Sequence, residues 1–91
     1  MVYAHNRKKT PIRVGFGKIV REKRLSLGLS QEKLAEKADL HTNYVGSVER
    51  GERNIAIENI YALAIALECS PKDLLPDVTH WKNILLFLKA Q

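Results

Sequence analysis

A short run of polar residues on one side of a predicted helix offers the chemistry of hydrogen bonding. If residues 42–50 form a helix, Val45 and Val48 point inward. The opposite face then carries small or hydrogen-bonding side chains, namely Thr42, Asn43, Gly46, Ser47 and Arg50. The major groove of DNA presents donors, acceptors and thymine methyl groups, and bulky side chains would hold a helix away from them. This face therefore predicts contact with DNA bases.

The residues that enzymes and metal sites use are scattered in this chain. His5, His41 and His80 lie far apart, with no cysteine or carboxylate at zinc-binding spacing. The single cysteine, Cys69, stands in an apolar context that favours a small buried side chain. A chain of 91 residues can form one compact domain but has little room for a concave catalytic site. We therefore expect no enzymatic activity, no metal ion and no other cofactor.

The positive charge is concentrated at the start of the chain. Of the net charge of +5, most comes from four basic residues among the first 13, where no acid occurs: Arg7, Lys8, Lys9 and Arg13. The rest of the chain holds the other 11 of the 15 basic residues against all 10 acidic ones. Such an arm could neutralise DNA phosphates through Lys8 and Lys9. A solvated terminus explains the same charges equally well, so both interpretations stay open.

Local signals predict an all-α fold. Gly28 and Gly51 are typical helix stops, Ser30 is a typical N-cap, and Ser70 with Pro71 is typical of a further helix start. Together with apolar periodicity they predict five short helices and a C-terminal amphipathic helix, at residues 14–27, 31–38, 42–50, 57–67, from 71 onward, and 79–89. The predicted organisation is a flexible basic arm (1–12), a folded domain (13–76) and a C-terminal helical segment (77–91).

Two apolar patterns predict what is buried. The helix at 57–67 is expected to be the central core element, through a stripe of Ile57, Ile60, Tyr61, Leu63, Ala64 and Leu67. Leu74 and Leu75 are expected to be buried beside it. The C-terminal helix has more apolar surface than one face can hide, at Trp81, Ile84, Leu85 and Leu88. That surface covers the core of its own chain or meets a second chain, and we favour a homodimer.

Residues 20–75, which read VREKRLSLGLSQEKLAEKADLHTNYVGSVERGERNIAIENIYALAIALECSPKDLL, resemble the lambda repressor and Cro-like helix-turn-helix family, also called the XRE family. Within it, HTNYVGSVERGERN is most similar to the controller proteins of restriction-modification systems, although phage repressors share much of the pattern. The resemblance implies a lambda repressor-like fold and sequence-specific binding to double-stranded DNA.

The resemblance also implies roles for individual residues. Thr42, Asn43 and Ser47 match base-contacting positions, and Gln31 matches a glutamine that contacts the DNA backbone and braces the recognition helix. Four further residues match family positions that commonly contact phosphates or reach bases at the groove edge: Tyr44, Arg50, Arg53 and Asn54. Arg24 and Glu49 match a pair that links the first helix to the third.

Some positions depart from the family pattern. Asp39 replaces a turn glycine that often has positive φ, a conformation that aspartate tolerates better than most residues. Gly46 lowers the helix propensity of the recognition helix. Lys23 replaces an apolar residue, and His41 stands at the N-cap of the recognition helix. His41 is either solvent-exposed or contacts a phosphate, and the sequence favours neither role over the other.

The functional prediction is a homodimeric transcriptional regulator that binds a palindromic operator. The alternative is a protein-interaction module with the same fold, such as an antitoxin or adaptor. No run of about 18 apolar residues could span a membrane, no leader peptide is apparent, and no small-molecule effector is indicated, so a cytoplasmic location is expected.

Overall fold

A computed structural model describes residues 9–77, 86 and 88–90. Its elements are α1 (Pro11–Ser26), α2 (Gln31–Ala38), α3 (Thr42–Glu49), α4 (Ile57–Ala66) and a 3-10 helix (Pro71–Leu74). No strand occurs among the described residues. The predicted all-α class is confirmed, and the bounds of α2 and α3 agree with the prediction to within one residue.

The start of α1 was predicted three residues too late. Thr10 is the N-cap, since its Oγ1 accepts a hydrogen bond from the Arg13 backbone N–H at 3.1 Å. Pro11 follows at the first helical position, where a proline needs no hydrogen-bond partner for its nitrogen. The helix therefore includes residues 11 and 12, which were predicted to belong to the arm.

Helices α1 to α4 end in the same way, with a residue in the left-handed region. These residues are Gly28 (φ 71°), Asp39 (φ 57°), Gly51 (φ 78°) and Glu68 (φ 59°). In each case the next residue donates its N–H to the carbonyl oxygen five residues earlier, as Leu40 does to Ala35 at 2.9 Å. The stops at Gly28 and Gly51 and the positive φ of Asp39 are confirmed. Glu68 carries no glycine-like signal and was not anticipated.

In the core, α3 packs against α1 and α2, while the 3-10 helix packs against α1 and α4, and α4 also packs against α2. Leu34, Ala35, Ala38, Val45 and Val48 are buried, as expected for two helices that cross closely. Gly17 of α1 permits an equally close approach, because a Cβ there would lie 2.7 Å from the Glu49 carbonyl oxygen and would also meet that of Val48. The C-terminal half of α3 is therefore held directly against the backbone of α1.

One predicted buried face is exposed. Ile57, Tyr61 and Ile65 lie at successive turns of α4 and are 69%, 53% and 76% exposed; we call them the α4 stripe. The expectation that Ile57 and Tyr61 belong to the core was wrong. Because α4 is apolar on nearly every side, periodicity could not show which face meets α2 and the 3-10 helix. Leu75, also predicted as buried, is exposed just beyond the end of the 3-10 helix.

Most of the predicted C-terminal helix lies outside the described residues. This applies to Trp81, Ile84 and Leu85, while Leu86, Leu88 and Lys89 are helical and exposed. Lys8 of the basic arm is also outside the described residues, and Lys9 is exposed. The predicted dimer interface at 79–89 is therefore neither confirmed nor contradicted.

Candidate nucleic-acid interface

The N-terminal end of α3 faces solvent. His41, Thr42 and Asn43 are all exposed, side by side at the start of the helix. The first N–H groups of an α-helix lack partners within the helix, and His41 gives α3 no side-chain cap. No acidic residue occupies the first turn of α3. The result is a polar, electropositive helix end that suits base edges and phosphate oxygens.

The C-terminal end of α3 is anchored by Glu49. Its carboxylate, whose side chain is 2% exposed, accepts hydrogen bonds from Arg24 Nε at 2.6 Å and Arg24 Nη2 at 3.0 Å. It accepts a third from Gln31 Nε2 at 2.9 Å. Arg24 also donates to the carbonyl oxygen of Leu29 at 2.8 Å. One carboxylate thus joins α1, α2 and α3, which confirms the Arg24–Glu49 link and places Gln31 where it braces the recognition helix.

Gly46 makes room for this arrangement. A Cβ at this position would lie 3.2 Å from Arg50 Nη1 and 3.5 Å from Gln31 Oε1. Both side chains therefore lie closely over the backbone of α3. A larger side chain at position 46 would crowd both groups.

Ser47 is not on the outward face. It is 1% exposed, and its Oγ donates to the Tyr44 carbonyl oxygen at 2.7 Å and accepts from Arg53 Nε at 2.8 Å. The predicted contact of Ser47 with bases stays a prediction, but the prediction that Ser47 faces away from the core was wrong. The physical reason is that the segment between α3 and α4 folds back over this flank of the helix and brings Arg53 onto the hydroxyl.

Tyr44 and Arg53 form a contact that could not be predicted from either residue type alone. The guanidinium carbon of Arg53 lies 5.2 Å from the centroid of the Tyr44 ring, within the range of a cation–π interaction. Asn59 Nδ2 donates to the Tyr44 hydroxyl at 3.1 Å. The contribution of Asn59 was missed, because nothing in the sequence relates a polar residue of α4 to position 44.

The remaining predicted backbone contacts are dispersed around α3. Arg50 is exposed and pairs with Glu52 at 3.0 Å, which raises the pKa of Arg50. Asn54 is exposed, in the segment between α3 and α4. A cavity of about 150 Å³ has Arg53 and Asn54 in its wall together with Ile12 and Arg13, so this segment lies beside the start of α1, where the basic arm joins the domain.

Other kinds of site are not evident in the described part of the chain. No group of three His, Cys, Asp or Glu side chains comes together there as metal ligands would. Partial burial raises the pKa of the Cys69 thiol, which disfavours the reactive thiolate. None of the helices described has the length and apolar character needed to cross a membrane.

Two short packed helices, braced by a buried ion pair and ending in an exposed polar face, define a DNA-binding helix-turn-helix domain. Comparison with known proteins agrees. Residues 20–74 match the helix-turn-helix family model HTH_3, and the chain belongs to this family.

Several similar proteins are named control proteins or regulators. The control protein C.BamHI of Bacillus amyloliquefaciens is 49% identical over 69 residues, which cover 75% of this chain and 85% of that protein. The crystal structure of the restriction-modification controller protein C.AhdI from Aeromonas hydrophila has 51% identity and a TM-score of 0.66, over 67% of this chain and 92% of that one. SinR, a master regulator for biofilm formation solved in complex with DNA, has 30% identity and a TM-score of 0.63, over 65% and 95% of the respective chains.

These matches confirm the family resemblance and the similarity to restriction-modification controller proteins. They also confirm the predicted kind of function, transcription regulation through a helix-turn-helix domain. The family is one of DNA-binding regulators rather than enzymes.

Proposed function

We propose that this protein is a controller-type transcriptional regulator that binds a specific double-stranded DNA site through the N-terminal end of α3. The observation that carries the proposal is the exposed, uncapped start of α3, with His41, Thr42 and Asn43, on a helix whose other end is fixed by Glu49. Its role is binding rather than catalysis, and we propose the cytoplasm as its location.

In the proposed complex, the start of α3 enters the major groove. Asn43 offers an amide that can pair with adenine, and Thr42 offers a hydroxyl and a methyl group. His41 and Tyr44 at this end, and Arg50 and Asn54 beyond the other end of α3, are candidate contacts to phosphates or the groove edge. Gln31, Lys8 and Lys9 keep their predicted roles at the DNA backbone. To bind a phosphate, Arg50 exchanges its exposed partner Glu52 for the DNA.

A palindromic operator requires two copies of the protein. We propose a homodimer, with α3 of each copy in successive major grooves about 34 Å apart. The α4 stripe supports a second copy as its occupant, because large apolar residues at one turn after another suit a symmetric, self-complementary contact. Trp81, Ile84, Leu85 and Leu88 remain the predicted second part of this interface.

The function is tested by selection from a random duplex library with the purified protein. Enrichment of a palindrome that binds far more tightly than random DNA is expected. Recovery of no preferred sequence, with only weak and salt-sensitive binding, would contradict the proposal and favour the protein-interaction module.

The dimer is tested by sedimentation of matched variants. Ile65→Glu places a charge in the α4 stripe and is expected to give monomers. Leu25→Glu makes the same kind of change at an exposed apolar residue of α1 and should leave the dimer intact. A dimeric Ile65→Glu variant would exclude the stripe as the interface. Truncation before residue 79 tests the C-terminal contribution separately.

A further inference from the structure

Ser47 is a polar residue that the structure buries almost completely, at 1% exposure. Its single hydroxyl proton is donated to the Tyr44 carbonyl oxygen at 2.7 Å. A hydroxyl that has used its proton can only accept further hydrogen bonds. Ser47 accepts one, from Arg53 Nε at 2.8 Å. The hydroxyl therefore acts toward Arg53 purely as an acceptor.

Two contacts fix the guanidinium group of Arg53. Nε is bound to Ser47, and the guanidinium carbon lies 5.2 Å from the Tyr44 ring centroid. Among the described residues, the Nη1 and Nη2 groups of Arg53 have no hydrogen-bond partner. Arginine presents its donors in a planar fork. The edge of that fork that suits a phosphate or a guanine is thus left open.

Tyr44 is held independently of Arg53. Its hydroxyl accepts from Asn59 Nδ2 at 3.1 Å, and its backbone belongs to α3. Loss of the Ser47 hydroxyl would consequently release the Nε side of Arg53 while the ring beneath the guanidinium stays in place. The orientation of Arg53 can therefore be changed without removing its charge or its aromatic support.

We infer that Ser47 is a positioning residue, which contacts no DNA itself and orients the guanidinium fork of Arg53 for contact with DNA. This inference rests on the proposed function. It replaces the base-contacting role that family resemblance implied for Ser47. Holding a long side chain in its bound geometry before binding removes an ordering cost, equivalent to about two- to tenfold in affinity for one such side chain.

The test is a double-mutant cycle on the duplex that the wild-type protein selects from the random library. Ser47→Ala is expected to weaken binding about fivefold, within the range for one ordered side chain. In an Arg53→Ala background, Ser47→Ala should cause no further loss. The salt dependence of Ser47→Ala should equal that of wild type, because no charge is removed.

Ser26→Ala is the matched control. The hydroxyl of Ser26 donates to the Lys23 carbonyl oxygen at 2.7 Å, with the same three-residue spacing as Ser47 to Tyr44, but on the exposed end of α1. Its removal should leave DNA affinity unchanged. Unfolding midpoints of all variants show whether a loss of affinity merely follows a loss of stability.

The possible results distinguish failure of the positioning role from failure of the proposed function. The positioning role would be overturned if Ser47→Ala bound the duplex with wild-type affinity, or if it lost the same affinity with and without Arg53. Either result would leave the proposed function standing. If the wild-type protein selects no duplex at all, the proposed function fails, and the role of Ser47 fails with it.

Discussion

Helices α2 and α3 have the same length of eight residues but opposite N-terminal ends. In α2, Ser30 Oγ accepts from the Lys33 backbone N–H at 3.0 Å, and Glu32 adds a negative charge to the first turn. In α3, His41 forms no such cap, and the first turn has no acid. Helix α2 thus has a side-chain cap for one of its first N–H groups, whereas α3 has none. This difference supports the proposal that α3, rather than α2, offers its N-terminal end to an anion.

Removal of Glu49 is expected to have the largest effect, since α3 then loses its only buried anchor of this kind among the described residues. Glu49→Ala leaves the Arg24 charge buried without its partner, so the free energy of unfolding should fall by about 3–5 kcal/mol. Urea denaturation measures this change. Glu36→Ala removes a carboxylate from an exposed pair with Lys33 on α2 and should alter stability little. Equal losses in the two variants would show that Glu49 is no anchor.

Ser30→Ala removes the cap of α2 and should lower the free energy of unfolding by about 1 kcal/mol. The effect is one of stability, so affinity for the selected duplex should change little under conditions where the protein is folded. Thermal unfolding and DNA titration of the same preparation check both parts. A stability equal to wild type would mean that the Lys33 N–H is satisfied equally well by water.

His41→Asp gives α3 the side-chain cap that it lacks. The variant should gain about 0.5–1 kcal/mol in stability, because aspartate is a strong N-cap. It should also bind DNA more weakly, since the new carboxylate lies at the end of α3 proposed to face phosphates. His41→Ser supplies a cap without charge and should separate the two effects. Unchanged DNA affinity in His41→Asp would place this end of α3 away from the phosphates.

The features predicted correctly from the sequence are those set by local signals. Ser30 and Gly51 mark where α2 begins and α3 ends. The Arg24–Glu49 pair is different, because 25 residues separate its members and only the family resemblance linked them.

The features that were predicted wrongly depend on what packs against each residue. Nothing in the type of Ser47 shows that Arg53 covers it, and an α4 that is apolar on nearly every side does not show which face stays in water. Gly17 is a further example, since its close contact with the end of α3 is set by tertiary packing. Such burial becomes visible only when the elements are assembled.

The central claim is that the exposed start of α3 selects the DNA sequence, and the most direct measurement is the specificity ratio of Asn43→Ala. This ratio is the Kd for random duplex divided by the Kd for the selected duplex, in one salt concentration. The account predicts a drop of about tenfold in Asn43→Ala, corresponding to one lost base contact, with the fold intact by circular dichroism. An unchanged ratio would contradict it, because sequence would then be selected elsewhere on the protein.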